Sequence, residues 1–134
     1  MKIEDVEGIG PTFAQTLAAA GVATTEDLLD RGGTSAGRDK LSVETGISTR
    51  LLLEWVNHAD LMRLDGVGPE YADLLEAAGV DSCAELAQRN AANLAMTFQE
   101  LDAARPNTVR QVPSEETVAG WIAQASRLEA VVSH

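Results

Sequence analysis

Apolar residues recur along this chain at the three- and four-residue spacing of amphipathic helices. Two stripes follow the spacing i, i+3, i+4, i+7, i+10. They consist of Leu52, Trp55, Val56, Ala59 and Met62, and of Val118, Trp121, Ile122, Ala125 and Leu128. Aromatic residues make up only 4% of the chain, so a core of aliphatic side chains and alanine is expected. The pattern predicts an all-α fold, a compact bundle of about eight helices.

Capping residues and helix breakers divide this pattern into segments. Serine or threonine followed by acidic residues marks several helix starts, and glycine marks several ends. The expected helices cover residues 11–20, 36–44, 49–62 and 91–104, with one more after each of Thr24, Gly68, Ser82 and Ser114. Residues 106–113 are expected to form a flexible loop.

One short pattern occurs twice in the chain. The copies are Val6-Glu7-Gly8-Ile9-Gly10-Pro11 and Leu64-Asp65-Gly66-Val67-Gly68-Pro69, at an offset of 66 − 8 = 58. Glycine permits positive φ, and proline favours the first turn of a helix. Each copy therefore predicts a tight turn that opens a helix with free N–H groups, where an anion can bind. We call Gly8, Ile9 and Gly10 the first glycine hairpin, and Gly66, Val67 and Gly68 the second glycine hairpin.

The two tryptophan stripes extend this repeat. Their offset is 121 − 55 = 66, which exceeds the offset of the hairpins by 66 − 58 = 8. The second repeat has therefore gained length, and we place the gain near the 106–113 loop. We expect a single domain over residues 1–134, made of pseudo-repeats 1–62 and 63–134. We also expect the terminal helix to pack beside the first glycine hairpin and the Trp55 helix to pack beside the second.

Charge changes the picture of possible partners. The formal net charge is −11, from 21 acidic and 10 basic residues, and only Lys2 and Lys40 are lysines. This balance argues against a generic nucleic-acid binder, because phosphate binding depends largely on Lys and Arg. An acidic, lysine-poor surface is also typical of proteins from salt-loving microbes, in whose cytoplasm electrostatic interactions are strongly screened. We favour this halophilic interpretation.

The sequence has few features of membrane, secreted or metal-binding proteins. No apolar run approaches the roughly 20 residues of a membrane span, and the N-terminus lacks the apolar region of a signal peptide. We therefore expect a cytoplasmic protein. Cys83 is the only cysteine, and His58 and His134 have no second ligand at metal-binding spacing, so neither metal nor cofactor is expected.

The two glycine hairpins resemble helix-hairpin-helix motifs, in which backbone N–H groups contact a nucleic-acid phosphate. The stretches that follow the hairpins, Ala19-Ala20-Gly21-Val22 and Ala77-Ala78-Gly79-Val80, also resemble the C-terminal domain of bacterial RNA polymerase alpha subunits. The whole chain resembles the family called domain of unknown function 4332. The resemblance is carried by the two hairpins, Leu51-Leu52-Leu53-Glu54-Trp55-Val56-Asn57, Ala59-Asp60-Leu61, Leu74-Leu75, and Pro113-Ser114 before Trp121.

This resemblance implies that Gly8, Ile9 and Gly10 face a phosphate. DNA-binding helix-hairpin-helix proteins usually place Lys or Arg soon after the second glycine. Here the corresponding residues are Thr12 and Gln15 in the first copy, and Glu70 and Asp73 in the second. The candidate site is therefore the first glycine hairpin with Thr12 and Gln15. The second, Gly66, Val67 and Gly68, is expected to be structural.

Other candidate features have simpler explanations. Trp55 and Trp121 could stack on bases, but their place on apolar stripes favours the core. The stretch Gly33-Thr34-Ser35-Ala36-Gly37 matches a nucleophile elbow without its strand, and fits a loop and helix cap better. Four bases could form a basic edge or could pair with nearby acids. The bases are Arg31, Arg38, Lys40 and Arg50, and the acids are Glu26, Asp27, Asp30 and Asp39.

The acidic residues occupy caps and polar faces, so none of them predicts an enzyme. The sequence therefore favours a non-catalytic binding module that binds nucleic acid weakly, without sequence preference, through the first glycine hairpin. The alternative is a protein–protein interaction or adaptor domain in which both hairpins are purely structural. Neither a membrane nor a small-molecule substrate is implied.

Overall fold

The computed structural model describes residues 1–106 and 109–134. In that part of the chain a short 3-10 helix, Ile3–Asp5, precedes eight α-helices. They are α1 (Pro11–Ala19), α2 (Thr25–Gly32), α3 (Ser35–Thr45), α4 (Thr49–Leu61), α5 (Pro69–Ala77), α6 (Cys83–Leu86), α7 (Ala91–Ala104) and α8 (Glu115–Ala125). The only β-type pairing there is an isolated bridge between Lys2 and Thr24. The expected all-α class is confirmed.

Most helix ends fall where the sequence places them. The bounds of α1, α3, α4 and α7 lie within one residue of the predicted ones. The exception is α8, which ends at Ala125, so that Leu128 lies beyond the helix and is 38% exposed. The loop predicted at 106–113 includes Asn107 and Thr108, which lie outside the described residues.

Side-chain caps fix several helix starts. Thr24 Oγ1 accepts the Asp27 N–H at 3.1 Å, and the Asp27 carboxylate accepts the N–H groups of Ala23 and Thr24, which completes a capping box. The hydrogen bond from the Ala23 N–H to the Asp27 carboxylate is the largest cause that holds the pKa of Asp27 below its ordinary value, and the hydrogen bonds with Thr24 add to it. In the second repeat, Ser82 Oγ accepts the Glu85 N–H at 3.2 Å. The predicted caps are therefore present in both repeats.

Two residues with potential chemistry lie in ordinary first turns. Thr34 Oγ1 accepts the Gly37 N–H at 3.0 Å and caps α3, so Ser35 is simply the first residue of that helix. Cys83 is the first residue of α6 and is buried. Both positions therefore have the local helix-start roles that the sequence favoured.

The chain divides into two units. The first contains residues Met1–Asp60 and Val131–His134, and the second contains Leu61–Ala130. The sequence-based halves were 1–62 and 63–134, so the last four residues belong to the first unit. Each unit buries its own apolar side chains. The core of the second unit contains Leu75, Val80, Leu94, Phe98, Val118 and Trp121. The proposal that 1–134 is one domain stays a prediction.

Each tryptophan helix packs on the hairpin of its own unit. The rings of Trp55 and Phe13 lie 5.0 Å apart, edge to face, in the first unit. The rings of Trp121 and Tyr71 lie 5.3 Å apart in the second. The predicted exchange, in which α8 packs beside the first hairpin and α4 beside the second, is wrong, since Trp55 of α4 packs on the first hairpin and Trp121 of α8 packs on the second.

Candidate functional site

The two glycine hairpins have the same backbone conformation. Gly8 has φ of +89° and Gly66 has φ of +86°, values that an L-residue adopts only with strain. A Cβ atom at Gly8 would lie 3.4 Å from the Trp55 Nε1, and one at Gly66 would lie 3.5 Å from the Trp121 Nε1. The positive φ of the turn therefore favours glycine at the first position of each hairpin, and a Cβ atom there would only reach van der Waals contact with the indole.

The middle residue of each hairpin points into the core. Ile9 and Val67 are each 4% exposed. The Ile9 N–H donates to the Val6 carbonyl at 3.0 Å, and the Val67 N–H donates to the Leu64 carbonyl at 3.2 Å. The Ile9 side chain therefore anchors the turn and its amide is paired, while the phosphate-facing role expected for the first glycine hairpin stays a prediction.

The residues on either side of Ile9 are open to solvent. Gly10 is the N-cap of α1 and provides no side chain to cap it. Within the described residues, the backbone amides of Gly10, Thr12 and Phe13 have no hydrogen-bond acceptor. Gly8, Gly10, Thr12 and Gln15 are exposed, so the start of α1 presents free N–H groups at the positive end of a helix dipole.

The start of the second hairpin is covered by its own unit. The Glu70 carboxylate accepts the backbone N–H of Arg110 and lies 3.8 Å from the Arg110 Nε. The Tyr71 hydroxyl donates to the Gln111 carbonyl at 2.7 Å. Arg110 and Gln111 belong to the connection in which we placed the gain in length of the second repeat. This longer connection therefore contacts the side chains in the first turn of α5.

A side chain of α8 also binds the backbone just before the second hairpin. The Asp65 backbone N–H donates to the Gln124 Oε1 at 3.0 Å. Tyr71 is half-buried, whereas the corresponding Phe13 remains 37% exposed. The hairpins therefore share a backbone conformation but differ in accessibility.

Acidic side chains surround the open hairpin. Glu4, Asp5 and Glu7 are exposed just before it. Lys2 brings an opposing charge and lines, with Pro11, Gln15 and other residues, a shallow groove of about 290 Å³ beside α1. The local field therefore weakens attraction to an anion, and direct N–H contacts are the favourable feature of this surface.

Arg31 has a structural role that sequence reasoning missed. Its Nη1 donates to the Ala20 carbonyl at 2.7 Å, and its Nη2 pairs with Glu44 at 2.7 Å. Arg89, which follows Arg31 at the offset of the hairpins (89 − 31 = 58), donates in the same way to the Ala78 carbonyl at 3.2 Å. Both guanidinium groups therefore bind the C-terminal carbonyl of the helix that follows a hairpin. The offset of 58 residues that the two arginines share with the hairpins was the sequence signal that could have revealed this role.

Arg38 is buried and so does not contribute to an exposed basic edge. It is 4% exposed, and its Nη1 donates to the Gly32 and Gly33 carbonyls at 3.0 and 2.9 Å. Burial lowers the pKa of its guanidinium. Lys40 and Arg50 are exposed, so only two of the four bases offer a free approach. Neither expected alternative, an edge of four bases or pairing with the four neighbouring acids, describes this segment.

The tryptophans are not available as stacking platforms. Trp55 is 1% exposed and Trp121 is 3% exposed, which confirms their core role. His58, on the same helix as Trp55, is also buried, with 2% of its surface exposed.

Among the described residues, no helix combines the length and apolar character required to cross a membrane.

Comparison with models of protein families gives a match over most of the chain. The family model described as "Domain of unknown function (DUF4332)" matches residues 7–128. No curated protein and no solved structure has a significant match to the chain. The match begins immediately before the first glycine hairpin and ends after α8, so it covers both hairpins and both tryptophan helices. The chain therefore belongs to the DUF4332 family, a family of unknown function.

Proposed function

We propose that the first glycine hairpin binds the phosphate backbone of a nucleic acid, weakly and without sequence preference. The observation that supports this best is the difference between the two hairpins. The N–H groups of Gly10, Thr12 and Phe13 have no acceptor among the described residues and belong to exposed residues, whereas the residues that open α5 are half-buried, and the Glu70 and Tyr71 side chains bind residues 110 and 111. Free amides at a helix start are suitable donors to a phosphate oxygen.

The chemistry of these donors explains both the lack of sequence preference and the weakness. Main-chain N–H groups that bind phosphate position a nucleic acid but read no base edge. Glu4, Asp5 and Glu7 oppose the approach of a phosphate, and the net charge of −11 adds a longer-range repulsion. Thr12 contributes a hydroxyl donor without charge.

The helix-hairpin-helix resemblance supports the same proposal. Each Gly-x-Gly turn carries a buried apolar residue between its glycines and leads directly into a helix that begins with proline. Fold-level likeness alone is an analogy, so the proposal depends on the exposed amides and not on the motif name.

A charge substitution at the open helix start tests the proposal. Thr12→Glu places a carboxylate at the position where the second hairpin has Glu70. Thr49→Glu is the matched control, because Thr49 is the exposed first residue of α4. Fluorescence anisotropy with short labelled DNA and RNA strands at low salt should show binding by the original chain and the Thr49→Glu variant. The Thr12→Glu variant should bind at least about tenfold more weakly, a difference of about 1.4 kcal/mol.

Salt dependence adds a second criterion. Contacts by Lys and Arg release counterions and give steep salt slopes. Main-chain contacts bring no cation, so the slope should be shallow, near one released ion or fewer. A steep slope, or equal loss of binding in both glutamate variants, would assign the binding to the exposed cations instead.

A protein partner is the second candidate. Phe13 is 37% exposed beside the open turn, and the net charge disfavours nucleic acid. An exposed aromatic edge of this kind is typical of protein contact sites. Absence of nucleic-acid binding at low salt, combined with a protein complex that Phe13→Ser abolishes and Thr12→Glu leaves intact, would favour this adaptor function.

A further inference from the structure

The first unit is completed by a segment from far along the chain. The segment Val131–His134, which we call the strap, belongs to this unit although residues 61–130 of the second unit precede it in sequence. The Ser133 N–H donates to the Gly33 carbonyl at 2.9 Å, and the Ser133 carbonyl accepts from the Arg38 Nη2 at 2.6 Å. Both main-chain polar groups of one strap residue are therefore bound within its own unit.

The strap contacts the connection between α2 and α3. We call Gly32, Gly33 and Thr34 the α2–α3 corner. The Arg38 Nη1 donates to the Gly32 and Gly33 carbonyls at 3.0 and 2.9 Å. A Cβ atom on Gly33 would overlap the Val131 carbonyl oxygen, so glycine allows the strap to approach the corner closely. One guanidinium therefore bridges the corner and the strap.

A second contact joins the strap to α4. The His134 Nε2 lies 3.1 Å from the Asn57 Oδ1, and Asn57 is buried on α4. The end of α2 packs on the same helix, since a Cβ atom on Gly32 would lie 3.0 Å from the Val56 Cγ2. The strap therefore contacts both the α2–α3 corner and the helix on which that corner packs.

The buried charge of Arg38 makes its contact with the strap important for the corner. Arg38 is 4% exposed, and an arginine side chain keeps its charge in a folded protein. Its hydrogen bonds in the described structure go to three main-chain carbonyls, and the strap supplies the acceptor of Nη2. A buried donor that loses its acceptor carries a large desolvation cost. Release of the strap would therefore destabilise the arrangement of the corner around this guanidinium.

We infer that the strap and Arg38 form a clasp, so that seating of the strap and ordering of the α2–α3 corner are one cooperative event. Val131 is 39% exposed and Ser133 is exposed, so hydrogen bonds contribute more to holding the strap than buried apolar surface does. Proteins open locally in cooperative units, and this unit joins residues that lie 95 positions apart in sequence. Release of the strap opens the corner while the second unit stays folded. This inference does not depend on the proposed nucleic-acid function.

Hydrogen exchange of the full chain tests the clasp. Ser133→Pro removes the N–H that donates to Gly33 and releases the strap. Ser133→Ala is the matched control, because the Ser133 hydroxyl makes no hydrogen bond in the described structure. The amides of Gly33, Gly37 and Arg38, all hydrogen-bonded around the corner, should exchange at least about tenfold faster in Ser133→Pro than in Ser133→Ala. The amide of Leu94, in α7 of the second unit, should exchange equally in both.

Arg38→Met tests whether the guanidinium carries the coupling. Methionine occupies a similar apolar volume but has no donor, so release of the strap then leaves no buried charge without an acceptor. In the Arg38→Met background, Ser133→Pro should therefore accelerate exchange at Gly33 by less than about threefold relative to Ser133→Ala. The four proteins form a double-mutant cycle, and the ratio of the two accelerations measures the coupling between Arg38 and the strap.

Three results would overturn the inference. The first is equal exchange at Gly33, Gly37 and Arg38 in the Ser133→Pro and Ser133→Ala variants, a comparison that needs no folded Arg38→Met protein. The second is an equal acceleration at Leu94, because the chain would then open as a whole and not at the corner. The third is the same acceleration at Gly33 with and without the Arg38 guanidinium.

Discussion

At the scale of single residues, the hairpin glycines are required by backbone geometry. Gly8→Ala forces a side chain into positive φ and places a Cβ 3.4 Å from Trp55 Nε1. We expect it to lower the free energy of unfolding by about 1–2 kcal/mol. Gly120→Ala should instead raise it by about 0.5–1 kcal/mol, because Gly120 lies within α8 with nothing within 4 Å of its Cβ position.

Urea unfolding of both glycine variants measures this difference in sign. Equal effects of Gly8→Ala and Gly120→Ala would show that the first hairpin does not require the conformation described for it.

The capping carboxylate of α2 makes stability depend on pH. Its hydrogen bonds depress the pKa of Asp27 below the ordinary value of 3.8. A depressed pKa means that the carboxylate stabilises the fold fully above that value, and that the contribution is lost as pH falls through the lower folded pKa. The stability advantage of the original chain over Asp27→Asn should therefore shrink as pH falls below about 3.8.

Chemical unfolding of both proteins between pH 7 and pH 2, on the order of one unit per step, measures this advantage. An advantage that stays constant down to the acid limit would contradict the role given to Asp27.

Local residue roles could be predicted from sequence, and non-local ones could not. The Thr24–Asp27 cap depends on residues three apart, so its spacing is visible in the chain. Arg38 depends on Ser133, which is distant in sequence, and no periodicity indicates such a partner. The sequence therefore suggested a basic edge or pairing with nearby acids, where the structure has a buried guanidinium bound to main-chain carbonyls.

At the scale of helices, the tryptophan stripes hold each hairpin in place. Trp55 is 1% exposed and contacts Phe13 edge to face. Trp55→Ala should lower the free energy of unfolding by about 3–5 kcal/mol, because it leaves a large cavity. Val43→Ala is the control, since Val43 is 87% exposed on α3 and should change stability by less than about 0.5 kcal/mol.

Thermal and urea unfolding distinguish these two variants. A stable Trp55→Ala protein with an unchanged midpoint would contradict the packing of α4 on the first hairpin.

The contact between Glu70 and Arg110 gives another prediction at this scale. Glu70→Ala removes the acceptor of the Arg110 N–H. We expect faster hydrogen exchange at the Arg110 amide, with less than about 1 kcal/mol lost in stability, because the pair is largely exposed. Glu100→Ala, exposed on α7, is the control and should leave that amide unchanged. Equal exchange rates in both variants would mean that Glu70 does not hold the connection.

Helices themselves were predictable because the apolar period is a local property. The partner of each helix was not, since either hairpin could accept a tryptophan stripe of the same spacing. The end of α8 was also missed, because Leu128 continues the apolar period although the helix stops at Ala125. The apolar period indicates which face of a helix is buried, but it does not determine where the last turn of the helix ends.

At the scale of the whole chain, the repeat has one backbone plan with two surfaces. Glu70 and Asp73 already suggested from sequence that the second hairpin is unsuited to phosphate. The structure adds the reason that sequence could not supply: residues 110 and 111 of the longer connection bind Glu70 and Tyr71. The gain in length was visible as a change of offset, but its packing site was not.

The proposed function depends on this asymmetry. Among the described residues, only the first hairpin has both of its glycines exposed and opens a helix without an acidic side chain in the first turn. The net charge of −11 limits affinity at both hairpins alike, so it cannot by itself produce a difference between them. Any preference between the hairpins must come from local accessibility and local charge.

The most direct test follows the backbone amides of Gly8, Gly10, Gly66 and Gly68 by NMR. Short single- and double-stranded DNA and RNA are titrated into the labelled full chain at low and at molar salt. The proposal predicts chemical-shift changes at Gly8 and Gly10 with little change at Gly66 and Gly68. Unchanged spectra at both salt concentrations, or equal changes at both hairpins, would contradict it.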